Sequence, residues 1–76
     1  MAQEKKTYST QTIVDFVKTL EKSNLIVKGT HKNDKVVATI KQCCELTPTE
    51  LEQYKDNAKV CFFNTEFSDW IETYNP

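Results

Sequence analysis

Only 76 residues are available to enclose the apolar side chains of this sequence, and a chain of that size buries roughly 60% of the surface its unfolded form exposes. One domain with a thin core is all that such a length supports. Hydrophobic residues at 38% against 28% charged residues argue for a folded chain and against disorder throughout. Residues 1–8 are polar and aperiodic and read as a flexible lead, leaving 9–76 as a single α+β domain.

From Ser9 the pattern changes. Ile13, Phe16, Val17 and Leu20 recur at steps of three and four, which predicts a helix to about residue 22 with one apolar stripe. Thr12 to Asp15 has the spacing of a capping box, and Ser9 and Thr10 are further candidates for the cap. Asn24 after Ser23 is suited to the left-handed backbone that ends a helix.

Residues 25–30 and 35–43 are rich in β-branched side chains, and His31-Lys32-Asn33-Asp34 between them are turn formers, so a β-hairpin is expected, with Gly29 at a bulge. The clearest local signal is Leu46-Thr47-Pro48-Thr49-Glu50-Leu51. Thr47 and Glu50 are spaced for a reciprocal cap, Pro48 suits the first helical position, and Leu46 and Leu51 are spaced for a hydrophobic staple. This helix is expected to reach about residue 57, with Leu51, Tyr54 and Ala58 inward. Residues 59–63 read as a third strand. Asn64 or Thr65 would cap a last helix carrying Phe67, Trp70, Ile71 and Tyr74, ended by Pro76.

The expected order is therefore α-β-β-α-β-α: a three-stranded mixed sheet with a crossover from strand two to strand three and helices packed mainly on one face. Strand alternation would direct Leu25, Val27, Val36, Ala38, Ile40, Val60 and Phe62 to the core, and Ile26, Lys28, Val37, Thr39, Lys41, Cys61 and Phe63 to the other side. That second set is too apolar for an idle solvent face. It reads as a partner-binding or self-association surface, the alternative being that the last helix folds over it. Trp70 and Tyr74 are candidate anchors for the same partner, with core packing as their other use.

Charge is divided along the chain. Residues 1–44 hold eight Lys against four acids, and residues 45–76 hold seven acids against two Lys, for a net −1. No arginine is present, which removes the planar fork that reads guanine and grips phosphate. Phe63 between Lys28 and Lys41 would still form a stacking platform for single-stranded nucleic acid, though the acidic second half disfavours it. The acids Glu45, Glu50, Glu52, Asp56, Glu66, Asp69 and Glu72 would mimic a phosphate backbone or serve as solvated helix faces.

No metal or other cofactor is expected. Cys43, Cys44, Cys61 and His31 lack the paired spacing of a zinc site, and adjacent cysteines on a strand point apart, so buried free thiols are the reading. Lys28-Gly29-Thr30-His31, following a helix, is similar to the Gly-Ser-His strand of small messenger-RNA-cleaving toxins. That resemblance implies a ribonuclease with His31 as the catalytic residue. Thr30 replaces the family's serine, and a turn follows His31 where the family's strand continues.

The longest apolar runs, 25–27 and 60–63, are far short of the roughly 20 residues of a membrane span. The lysines near Met1 precede no apolar stretch, so a cytoplasmic address is expected. The favoured function is that of a small non-enzymatic regulator or inhibitor docking on a larger protein, with homodimerisation as a further possibility. Lys-only basic usage with many Asn and Thr suggests an AT-rich gene and a phage or mobile-element accessory that blocks a host factor.

Overall fold

The computed structural model describes residues 7–74, and within them all regular structure is helical, with no strand. Four α-helices follow one another: α1 (Thr10–Lys22), α2 (Asp34–Cys44), α3 (Pro48–Gln53) and α4 (Ala58–Thr73), with a 3-10 turn at Thr30–Lys32 between α1 and α2. The three-stranded mixed sheet and the α-β-β-α-β-α order are thereby overturned.

Period decides over propensity in residues 35–43. Val36, Val37, Ile40, Cys43 and Cys44 stand at i, i+1, i+4, i+7 and i+8, which is one face of a helix. Holding a β-branched residue in a helix costs at most about 0.7 kcal/mol, whereas burying its side chain returns about 1.5–3 kcal/mol. Val37, Ile40, Cys43 and Cys44 are all buried. The supposed turn is a helix start: the Asn33 side chain accepts from the amides of Lys35 at 3.0 Å and Val36 at 3.2 Å, and Asp34 lies where the helix dipole favours an acid.

Residues 59–63 fail as a strand for a similar reason. Asn57 caps α4 by accepting from the Val60 amide at 3.2 Å, so the helix begins well before Asn64 or Thr65. Val60 and Phe63 then extend the stripe of Phe67, Trp70 and Ile71 toward the N-terminus. The reciprocal cap of α3 forms as expected, with Glu50 N–H donating to Thr47 Oγ1 at 3.2 Å and Thr47 N–H to Glu50 Oε1 at 3.1 Å. The helix stops at Gln53, short of residue 57, leaving Tyr54 and Ala58 exposed instead of inward.

α1 matches its expected stripe, burying Ile13, Phe16, Val17 and Leu20, with Ser9 as the cap. It ends on Asn24 at φ 59°, where the amides of Asn24 and Leu25 return to the carbonyls of Glu21 and Leu20 at 3.0 and 2.9 Å. Gly29, at φ 89°, precedes the 3-10 turn and marks no bulge.

The core gathers that α1 stripe, Val37, Ile40 and Cys44 of α2, and Phe67 of α4. The sheet-face assignment therefore inverts at several positions: Leu25, Val27 and Ala38 are exposed and Val37 is buried. Phe67 packs edge-on against Tyr8 and Phe16, with ring centres at 4.7 and 5.1 Å, and Trp70 lies 5.4 Å from Phe16. Asn64 Nδ2 donates to the Cys43 carbonyl at 2.9 Å, tying α4 to the end of α2. Of the polar lead, residues 1–6 lie outside the described residues, as does Pro76; Tyr8 N–H donates to Glu45 Oε1 at 2.9 Å.

Candidate functional site: an apolar groove with a lysine rim

Where the α1–α2 connection passes α2 and the first turns of α4, the three leave a groove of about 610 Å³. Ile40 is buried at its base, and Ile26, Val36, Phe62 and Phe63 are half-buried along it. The rings of Phe62 and Phe63 meet edge-on at 5.4 Å. Leu25 and Val27 project beside them, 48% and 80% exposed. Among the described residues the charged lining side chains are Lys35 and Lys59, one on each helix.

The wall at residues 25–33 is held from beneath. Glu21 is buried, with Oε1 2.8 Å from His31 Nδ1 and Oε2 accepting the His31 N–H at 3.2 Å. Burial opposes ionisation of this carboxyl, but the hydrogen bonds from the His31 ring and from the amides of His31 and Thr30, with the His31 charge, outweigh it and hold its pKa below the ordinary range. The Thr30 hydroxyl donates to the Val27 carbonyl, and the Asn33 amide to the Thr30 carbonyl at 3.0 Å. Leu25 and Val27 are thus displayed by an ordered connection in which Glu21 bonds to the 3-10 turn.

The residues expected to contact a partner are dispersed. Ile26, Thr39 and Phe63 line the groove. Lys28 is exposed on the connection, Lys41 stands on α2 away from the groove lining, and Val37 is core. Trp70 and Tyr74 stack on each other at 4.3 Å at the far end of α4, where Tyr74 OH donates to Asp15 Oδ2 at 2.7 Å. The stacking platform of Lys28, Lys41 and Phe63 is therefore not assembled in the groove. Leu25, Val27, Lys35, Val36, Lys59 and Phe62 line the groove without standing among the expected partner-binding residues, and the helical period of residues 36–44 is the sequence signal that points to them.

His31 sits in a 3-10 turn where the resemblance to messenger-RNA-cleaving toxins requires a strand. Burial raises the thiol pKa of Cys43, and that of Cys44 further, with Cys43 and Glu45 adding to the shift at Cys44. Cys61 Sγ donates to the Tyr54 carbonyl at 3.3 Å. Among the described residues no three His, Cys, Asp or Glu side chains are grouped to hold a metal ion.

A second groove, about 510 Å³, lies between the α2–α3 junction and the later turns of α4. Its charged lining residues are Glu45 and Glu72, and Glu45 is already engaged by the Tyr8 amide. No helix among the described residues is long and apolar enough to cross a membrane. Fold and site together define a small four-helix domain with an open, lysine-edged apolar cleft. No protein-family model, curated protein or solved structure matches the chain.

Proposed function

We propose that this chain is a small non-enzymatic binding protein that regulates or inhibits a larger protein by docking through the groove between the α1–α2 connection, α2 and α4. The observation that carries this reading is the exposure of Val27 and Leu25 beside Ile26, Phe62 and Phe63. A thin core gains from every apolar side chain it covers, and contiguous uncovered ones mark contact surfaces. Full burial of a large apolar side chain is worth about 1.5–3 kcal/mol, and a partner gains the share of it that each of these still exposes, largest at Val27.

The test places a photo-crosslinking residue at Val27 in cells, identifies the captured protein, and titrates that protein in purified form against the wild type and Val27→Glu. A single partner whose affinity drops at least tenfold with Val27→Glu is the expected result. A partner bound equally by both, or no captured protein at all, defeats the reading. Light scattering on the same samples separates one further outcome, a second copy of this chain as the occupant, in which the dimer would be broken by Val27→Glu.

A further inference from the structure

We infer that the groove accepts an amphipathic helix of the partner protein, carrying two or three large apolar anchors on one face and Asp or Glu on both flanks. This rests on the reading of the groove as a docking surface and adds the conformation and charge of what fills it.

Conformation follows from hydrogen bonding. Two of the three walls are α2 and α4, whose backbone groups beyond their first turns are committed within the helices, and the described residues contain no strand edge to receive another chain. An extended segment would lay unpaired amides and carbonyls along the apolar floor of Val36, Ile40 and Phe62, with only the scattered side chains of Thr30, Asn33 and Thr39 to answer them and no continuous ladder. A helix arrives with its backbone already satisfied and presents only side chains. The dimensions agree. Lining positions run from Lys35 to Ile40 on α2, about 7.5 Å of helical rise, which two turns with anchors at i, i+3 or i+4, and i+7 would cover.

Charge follows from the rim. Lys35 and Lys59 stand on different helices with no acid among the described lining residues, although the chain as a whole carries a net −1. The second groove has the opposite lining, Glu45 and Glu72 without lysine. An acid-flanked helix is therefore steered to the first groove and away from the second, whereas a lysine-flanked helix meets like charge at Lys35 and Lys59, which costs affinity as well as association rate.

The probes are three labelled synthetic peptides of about 16 residues with the same Leu and Phe anchors. One is helical with Glu flanks, one is helical with Lys flanks, and one has Glu flanks and a central proline that breaks the helix. Each is titrated against the full chain by fluorescence polarisation. The Glu-flanked helix should bind at least tenfold tighter than the other two in low salt, with its lead over the Lys-flanked helix shrinking at 0.5 M NaCl. The Lys35→Glu/Lys59→Glu double variant, its helicity checked by circular dichroism, should reverse the order of the two helical peptides, and Val27→Glu should abolish binding.

Equal affinity for Glu- and Lys-flanked helices overturns the charge assignment. Undiminished binding of the proline peptide overturns the helical one, and failure of all three peptides overturns both. Binding to phosphatidylserine vesicles above any peptide, lost in the double variant, would reassign the groove to an anionic lipid surface. The crosslinking at Val27 decides the docking reading separately, because it requires neither a helix nor a charge.

Discussion

The two ends of α4 carry similar aromatic side chains in opposite situations. Toward its C-terminus, Phe67, Trp70 and Tyr74 are locked against Phe16, against one another and, through the Tyr74 hydroxyl, against Asp15. Toward its N-terminus, Phe62 and Phe63 touch each other and then open onto the groove, where α1 does not follow. The helix is the same and its apolar stripe is continuous; what differs is what lies opposite. α1 covers the later turns, whereas the earlier turns face a connection that displays Leu25 and Val27 outward. A stripe longer than its intramolecular partner leaves a remainder, and that remainder is the candidate site.

The hardest way to break this contrast is to truncate one ring in each setting, Phe16 of α1 where it packs on the later turns of α4 and Phe63 in the earlier turns. Phe16→Ala should cost about 3–5 kcal/mol in urea unfolding, a large share of the roughly 5–15 kcal/mol typical of a whole domain. Phe63→Ala should cost less than half as much, since part of its surface is already in water. Equal losses would make the groove part of the core. Next in size is the effect on binding: Val27→Glu should leave the unfolding free energy within about 0.5 kcal/mol while removing about 2 kcal/mol or more of partner affinity.

How much of this was legible in the sequence depends on which physical signal dominated locally. α1 was readable because period, cap and stop agree at Ser9, the Ile13–Leu20 stripe and Asn24. The α3 cap was readable because Thr47, Pro48 and Glu50 act within four residues of one another. α2 was misread because Val36, Val37, Thr39 and Ile40 favour strands one by one, while their spacing favours a helix and only tertiary burial reveals which prevails. The consequences are linked: a strand at residues 35–43 implies that Asn33 is a turn residue and residues 59–63 a matching strand, whereas a helix there makes Asn33 its cap. Ile26, Thr39 and Phe63 reached the groove although the sheet that suggested them does not exist. The same strand alternation places Val27 in the core, whereas it is the most exposed apolar side chain at the groove.

Two helix caps sharpen the comparison at smaller scale. Asn33→Ala removes the acceptor for the Lys35 and Val36 amides, and Thr47→Ala removes the acceptor for the Glu50 amide. Each should cost about 1 kcal/mol in urea unfolding. Only Asn33 lines the lysine-edged groove, so only Asn33→Ala should also weaken the Glu-flanked peptide. Loss of peptide affinity in both variants would mean that binding follows global stability instead of the groove wall.

The smallest expected effects are those of acid, and they again separate the two ends. Glu21 lies beneath the groove wall and Asp15 beside Tyr74, and both carboxyls have pKa values below their ordinary ones, Asp15 chiefly through the Tyr74 hydrogen bond and then that from Gln11. An acid whose pKa is lower folded than unfolded stabilises the fold fully above its unfolded value, and that contribution is lost as pH falls through the folded value. Thermal unfolding followed from pH 7 to pH 3 should therefore show declining stability below the ordinary carboxylate range of about 4. Glu21→Gln should flatten part of that decline and lower peptide affinity at pH 7, because it weakens the hold on the His31 turn. Tyr74→Phe should flatten a smaller part, since Gln11 still donates to Asp15, and should leave peptide affinity unchanged. If Tyr74→Phe weakened the peptide as Glu21→Gln does, the ends of α4 would be coupled, and the groove could not be treated as a remainder independent of the aromatic core.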